Sequence, residues 1–423
     1  MPALSADPAA ARAFAAEIVR RLREAGHEAY WAGGCVRDEL LGRIPADYDV
    51  ATAAHPEIVR SLFGRKKTLA VGAAFGVITV LGPKPAGQVE VATFRADADY
   101  TDGRHPAGVT FCSAREDAAR RDFTINGMFL DPLSGEVHDF VGGREDLAAG
   151  VIRAIGVPAQ RFAEDHLRML RAVRFAAGFD FVLDHDTRAA IERMTHLVVS
   201  VSPERIAAEL RAMVSRPGRG RALALLEETG LAREVLPEVA PAAGAAAGRA
   251  AWDRAAAVVA ALDEPTLPQA IAALCEAARV ERPASIATRL RLSNHEAKAI
   301  AWLHAGLREL GERERLDSLP WSRLQPWVAH PQAADFADLL RARAAQGLGN
   351  AEAAAWFTAQ TNRPRAEIDP PPLVTGADLI AAGIVAGPAM GDALARIRDQ
   401  QLDGAITSAA EAIALARECA DRS

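Results

Sequence analysis

The chain has 423 residues, enough for two to four domains with a sizeable core. Charged residues make up 25% of it and the net charge is −6, so its surface as a whole is not the basic surface that nucleic acid usually selects; basic residues cluster instead at Arg65-Lys66-Lys67, around Arg168 to Arg174 and at Arg216 to Arg221. No run of about 18 apolar residues occurs, so no membrane span is expected, and Cys35, Cys112, Cys275 and Cys419 lack metal-ligand spacing, as reduced thiols of a cytoplasmic protein would.

Phe14, Ile18 and Leu22 recur at every fourth position and predict a domain helix with an apolar face, while Asp7, Glu17 and Glu24 argue against a transit peptide. Glu28 to Ala32 reads as a short strand and Val36 to Leu41 as a helical turn, with Gly33-Gly34 between them. A glycine pair at such a junction lets backbone N–H groups approach a phosphate at a helix N-terminus. Asp47 and Asp49 follow at the start of a predicted strand, Tyr48 to Ala51, where a spacing of two puts both carboxylates on one face. Paired hard oxygen ligands suit Mg²⁺ held against substrate phosphates, and two such ions clamp an in-line phosphoryl displacement. Taken singly, the two features also read as a turn and a solvated loop.

A helix is predicted over Pro56 to Phe63, then strands over Val77 to Leu81, Val89 to Phe94 and Val109 to Cys112. In the second of these, alternation puts Glu90 on one face with Ala92 and Phe94. A carboxylate inside an apolar strand needs a reason, because an unpaired buried charge is costly. Glu90 is either a third carboxylate beside the aspartate pair or a strand-end partner for an arginine. Asp99 to Pro106 reads as a polar loop between the last two strands, and Arg120-Arg121-Asp122, on residue type alone, as a solvated helix end.

Past about Gly150 helical periodicity takes over, with helices expected over 161–177, 186–194, 202–214, 220–229, 250–262, 268–278, 294–310 and 333–344; proline clusters at Pro237 to Pro241 and Pro370 to Pro372 mark boundaries. The expected fold is therefore α+β, a mixed sheet with helices followed by an all-helical remainder. In the helix over 161–177, Asp165 and Arg168 are i, i+3 neighbours, and Arg171 and Arg174 continue the row. Spacing alone makes this a salt-bridged helix face. Its chemistry fits something sharper. Cytosine and adenine each present an amino donor beside a ring acceptor, which a carboxylate beside a guanidinium matches; uracil and guanine present the reverse and would leave buried polar groups unpaired. His185-Asp186 lacks further metal ligands and reads as a helix start with Asp186 as N-cap, and Ser202-Pro203 as an N-cap followed by proline at the first helical position.

Gly33-Gly34-Cys35-Val36-Arg37-Asp38 followed by Asp47-Tyr48-Asp49-Val50-Ala51-Thr52 resembles the nucleotidyltransferase superfamily, most closely the class II tRNA nucleotidyltransferases and bacterial poly(A) polymerases, which add nucleotides to RNA 3′ ends. Glu90-Val91-Ala92-Thr93-Phe94-Arg95 is similar to that family's Glu-Val-x-Thr-Phe-Arg. Arg120-Arg121-Asp122-Phe123-Thr124-Ile125-Asn126-Gly127 matches its Arg-Arg-Asp-Phe-Thr-Ile-Asn-Ala, with glycine for alanine at 127. Glu164-Asp165-His166-Leu167-Arg168 resembles its base-reading element, Ser202 to Ile206 a further element that buttresses it, and Val374 to Leu379 with Gly387 to Gly391 its tail.

The resemblance implies a nucleotidyltransferase head at 1–150, a neck at 151–219, a body at 220–365 and a tail at 366–423. It implies template-independent addition of C, C and A to the 3′ end of tRNA from CTP and ATP. Asp47 and Asp49 are then the catalytic Mg²⁺ ligands, with Glu90 as a third. Gly33, Gly34, Arg37 and Arg121 would meet the nucleotide's phosphates, Asp122 its ribose and Asp165 and Arg168 its base, with Arg171 and Arg174 as further contacts. The loop at Asp99 to Pro106 resembles one needed for the final A. Val71-Gly72-Ala73-Ala74-Phe75-Gly76 is as in CCA-adding enzymes rather than the Gly-Arg-Arg-Phe of the alternative, a poly(A) polymerase. The other alternative is a catalytically silent RNA-binding protein on the same scaffold. Gly387-Pro388 either presents N–H groups to an RNA phosphate or makes a tight interhelical turn.

Overall fold

The computed structural model of the protein describes residues 7–72, 75–97 and 109–420; the loop at Asp99 to Pro106 and the centre of Val71 to Gly76 lie outside them. The chain forms two compact units, 1–237 and 238–423.

In the first unit, helix α1 (Pro8–Glu24) buries Ala15, Ile18, Val19 and Leu22 against strands β1 (Ala29–Ala32) and β2 (Asp49–Thr52). Between these strands lies helix α2 (Gly34–Leu40), and after them helix α3 (Pro56–Phe63). Then come β3 (Thr68–Leu69), β4 (Val77–Leu81), β5 (Gln88–Thr93), a separate ribbon of β6 (Arg95–Asp97) and β7 (Val109–Phe111), helix α4 (Ala114–Ala119), β8 (Phe129–Leu130) and β9 (Val137–His138). Seven strands make one sheet in the order β3-β4-β5-β2-β1-β8-β9. All its neighbours are antiparallel except β2 and β5, which run parallel with Asp49 opposite Glu90.

Alternation decides which residues face the open side. Val89, Val91 and Thr93 are buried, while Glu90 is exposed beside Asp49. The expectation of a glutamate buried in its strand is thus corrected: Glu90 carries no burial cost and stands at the solvent face. Strands β3, β8 and β9 escaped the sequence because two residues are too few for a period to register.

The unit continues with helix α5 (Gly143–Ala149), a two-residue parallel pair of β10 (Val151–Ile152) and β11 (Val182–Leu183), and helices α6 (Pro158–Glu164), α7 (Leu167–Phe179), α8 (His185–Met194), α9 (Pro203–Val214), α10 (Arg219–Glu228) and α11 (Leu231–Val235). The single helix expected over 161–177 is instead two. Asp165 leaves helical geometry at φ −150° and ψ 104°. Its Oδ1 accepts from Leu167 N at 3.1 Å, at the start of α7. A short carboxylate offering the backbone a local bond in this way competes with the helix and breaks it. Asp165 and Arg168 therefore do not share one helix face.

The cap of α8 is Asp184, whose carboxylate accepts from Thr187 N at 3.1 Å, and not Asp186, which is exposed in the first turn. Ser202 does sit at the N-cap of α9, without a side-chain capping bond.

Gly127 lies at the end of a short helical turn, Thr124–Asn126. A Cβ there would stand 2.6 Å from Val141 Cγ2 and 3.1 Å from Ile155 Cδ1. The Gly127→Ala protein is expected to lose about 1–3 kcal/mol through overpacking. An unchanged denaturation midpoint would show that Val141 yields freely.

Among the described residues of the second unit the regular elements are all helices. The long helix Asn294–Leu310 starts with a capping box between Ser293 and Glu296 and packs on Leu267–Ala277, which is buried from Leu267 to Cys275. Trp302, Trp327, Phe336 and Phe357 pack ring to ring beside them. Beyond Pro370 to Pro372 a distinct apolar cluster forms from Val374, Leu379, Met390, Ile397 and Leu415. Gly387 precedes the helix Pro388–Leu402. Among the described residues no helix is long and apolar enough to cross a membrane.

Candidate active site

One cleft of about 620 Å³ in the first unit is lined by Gly33, Gly34, Arg37, Asp47, Asp49, Arg121, Asp122, Asp165, Arg168, Arg171 and Arg174. Residues nominated from four separate stretches of sequence thus converge. Glu90 does not line the cleft; it stands beside Asp49 across the parallel pair of strands.

At the acidic end Asp49 touches solvent yet is crowded by protein. Loss of solvation first, and then the charges of Asp47 and Glu90, push its carboxyl up to about 7, while Arg121 pulls it down. Among the described residues no three His, Cys, Asp or Glu side chains form a closed metal cage. Two carboxylates with a third alongside, repelling one another, fit a divalent cation whose remaining ligands are water and substrate phosphate oxygens, the usual way Mg²⁺ is held. Cys35, within the glycine motif, is a buried thiol pushed up to about 12 by burial, and so is no nucleophile.

The floor is a network of arginines. Gly33 has φ 73°, and a Cβ on it would lie 3.1 Å from Arg121 Nη1, so the missing side chain serves both the turn and the approach of that arginine. Arg121 donates through Nε and Nη2 to Asp117 at 3.2 and 3.0 Å, and through Nη1 to Asn126 O at 3.3 Å. Burial works to raise the Asp117 carboxyl, but the charges of Arg121 and Arg120 hold it below the ordinary value.

Asn126 ties this network together. Its Oδ1 accepts from Arg37 Nη1 at 2.8 Å and its Nδ2 donates to Asp122 Oδ1 at 3.1 Å. Asp122 accepts four bonds in all, from Phe123 N, Asn126 Nδ2, Arg171 Nε and Arg171 Nη2. That fills the acceptor capacity of a carboxylate. The expected contact of Asp122 with a ribose hydroxyl is not pre-formed; in this structure Asp122 fixes Arg171.

At the other end of the cleft Asp165 accepts from Arg205 Nη2 at 2.7 Å and from Leu167 N. Arg168 donates to Glu164 and to the carbonyl oxygens of Arg161 and Arg120. A carboxylate has room for about four hydrogen bonds and a guanidinium has five N–H groups. Asp165 therefore keeps acceptor capacity, and Arg168 keeps two donors, for a ligand. Arg174 is paired through Nε with Glu209 at 2.6 Å. Arg171 and Arg174 of the basic stretch thus hold ion-pair partners of their own, and Arg221 pairs with Asp180.

Residues 29–153 match the family described as the poly A polymerase head domain, and residues 180–243 the one described as a probable RNA and SrmB-binding site of polymerase A. The fold is similar to the crystal structure of the Bacillus stearothermophilus CCA-adding enzyme in complex with CTP, with a TM-score of 0.77 and 30% identity over 96% of each chain. The chain belongs to the class II tRNA nucleotidyltransferase and poly(A) polymerase family. Among curated family members, the CCA-adding enzymes of Geobacillus stearothermophilus and Enterococcus faecalis (strain ATCC 700802 / V583) are each 44% identical, over 215 and 216 residues; the aligned stretch is 51% of this chain and 52% of each relative. The chain thus spans about half the length of the curated relatives it matches. The Thermotoga maritima CCA-adding enzyme complexed with tRNA, a member at 19% identity, shares the fold with a TM-score of 0.66 over 96% of this chain and 94% of that one.

Three residues that organise this family member's cleft were missed as site residues in its sequence: Asn126, Asp117 and Arg205. Asn126 lies in the stretch Arg120 to Gly127, and the signal available is an amide four residues after Asp122. Arg205 lay in the Ser202 to Ile206 element, which was expected to buttress and does so by an ion pair to Asp165.

Proposed function

We propose that this protein adds C, C and A to the 3′ end of tRNA, using CTP and ATP. The observation that carries the reading is the convergence, in one cleft, of an acidic end, an arginine-lined middle and a carboxylate–guanidinium pair with spare hydrogen-bonding capacity. In the reaction the RNA 3′-hydroxyl attacks the α-phosphate, the bond from that phosphorus to the bridging oxygen breaks, and pyrophosphate leaves. Asp47 and Asp49 would hold Mg²⁺, with Glu90 as the third carboxylate beside them. When bound, the ion neutralises developing charge and orients the attacking and leaving oxygens.

The chain's own groups do the rest by positioning and electrostatics. Backbone N–H groups at Gly33 and Gly34, with Arg37 and Arg121, receive the triphosphate. Asp122 orients Arg171, and reaches the ribose only by releasing one of its four donors. Asp165 accepts the amino group of cytosine or adenine while Arg168 donates to the ring acceptor, with Arg205 holding Asp165 in place. Arg174 steadies this wall through Glu209. The setting is the cytoplasm, where the four free cysteines remain thiols.

Incubating the protein with Mg²⁺, tRNA lacking its 3′ end and each labelled nucleoside triphosphate tests the reading. Incorporation confined to C, C and A supports it. Long runs of A would make the protein a poly(A) polymerase, and no incorporation a silent RNA-binding scaffold.

A further inference from the structure

Beside the cleft opens a second lobe of about 380 Å³, sharing Arg37, Asp38, Arg174, Phe175 and Arg216 with it. Its floor is apolar, made by Phe175, Phe179 and Met213, and Ile44 stands on its rim with 75% of its surface exposed. Neither Asp47 nor Asp49 reaches it, so the lobe can bind but holds none of the reacting carboxylates.

Its arginines are of two kinds. Arg37 is neutralised by Asp38 and Arg174 by Glu209. Arg43 and Arg216 are exposed and make no side-chain hydrogen bond or ion pair among the described residues; Arg43 lies over the Phe179 ring, 5.1 Å from its centroid, a ring that Arg37 also covers at 4.4 Å. They come from different parts of the chain, Arg43 from the segment after α2 and Arg216 from the turn between α9 and α10. Two uncompensated guanidiniums therefore rim an apolar floor. That arrangement suits a ligand with a flat ring and a phosphate, since rings stack on aromatic and guanidinium planes. Bare pyrophosphate would leave the apolar floor unused. Position favours a polynucleotide over a second free nucleotide: Arg43 is four residues before Asp47, and four residues of chain span at most about 14 Å. A strand with its 3′-hydroxyl at the carboxylates could therefore reach this lobe with its next nucleotides.

We propose that the lobe seats the nucleotide just upstream of the RNA 3′ end, its ring stacked on the guanidinium planes that cover Phe179 and its phosphate at Arg43 and Arg216. This rests on the reading of the cleft as the site of nucleotide addition to RNA.

The test uses Arg43→Ala, Arg216→Ala and the double variant, with Arg43→Lys and Arg216→Lys as charge-retaining controls. Two quantities are measured: KM for tRNA lacking its 3′ end and for CTP, and Kd for the same tRNA by fluorescence anisotropy over a salt series. The double alanine variant is expected to raise KM and Kd for the RNA about tenfold, with KM for CTP within about twofold of wild type. The slope of log Kd against log salt should flatten by about 0.7 per lost phosphate contact, and the lysine variants should restore it. Unchanged RNA affinity overturns the proposal, as does a rise confined to KM for CTP, which would give the lobe to the triphosphate. Wild-type protein that adds no nucleotide, while the alanine variants still lose RNA affinity, would overturn the addition reading and leave the lobe's assignment standing.

Discussion

Asp47→Ala and Asp49→Ala proteins are expected to fold and to lose nucleotide addition by about a thousandfold or more, because a catalytic metal contributes several kcal/mol of charge stabilisation. Both side chains are exposed in the cleft and contribute little packing. Asp49 adds a second, independent signature. Its carboxyl sits at about 7 in the folded protein against an ordinary 3.8. Between about pH 4 and pH 7 the native state therefore holds a proton that the unfolded chain has released, and stability falls as pH rises through that window. Removing the charge removes the penalty. Without divalent cations, Asp49→Asn should melt above wild type at about pH 8 and lose that advantage by about pH 4. Adding Mg²⁺ should raise the wild type alone and close the gap. Near-normal incorporation by both alanine variants, or a melting difference indifferent to pH, would remove the metal assignment.

Asp165→Ala should relax the choice of base. On the proposed reading the carboxylate's spare acceptor capacity would meet the amino group of C or A, and its loss should shrink the penalty against U and G by on the order of 1–3 kcal/mol. Overall activity is also expected to fall, since Asp165 accepts from the first residue of α7 and anchors Arg205. Asp165→Asn separates the two roles, because an amide keeps an acceptor but adds a donor that can face the carbonyl of uracil. Incorporation of all four nucleotides, measured beside thermal stability, decides the matter. Unchanged discrimination with a lowered melting temperature would leave Asp165 and Arg168 as structural residues.

What the sequence revealed of this site followed from how local each cause is. Gly33 and the Asp47–Asp49 pair were legible because the φ of a turn and the two-residue period of a strand act over a few residues. The α+β plan was legible from where alternation gives way to helical periodicity. The break at Asp165 was not. The apolar rhythm of Phe162, Met169, Leu170 and Val173 runs on through it, and a single carboxylate-to-backbone bond decides against that rhythm. The placement of Glu90 depended on a parallel register with a strand about forty residues earlier, which neither strand carries alone. Asn126 and Arg205 act on partners 89 and 40 positions away, Arg37 and Asp165, and only the folded chain brings these together.

The shared amide at Asn126 also governs how substitutions in this cleft combine. One side chain and its own carbonyl restrain Arg37, Asp122 and Arg121 at once, and Asp122 passes the restraint on to Arg171. Groups joined in this way couple by about 0.5–3 kcal/mol. Once the Asn126 side chain is gone, replacing Arg37, Asp122 or Arg171 should cost less than it does alone, whereas Arg121, held by the backbone carbonyl, is not released. The arginines around Asn126 therefore cannot be exchanged singly without disturbing one another, whereas Asp165 and Arg168 are held by separate partners, Arg205 for the one and Glu164 with two carbonyl oxygens for the other.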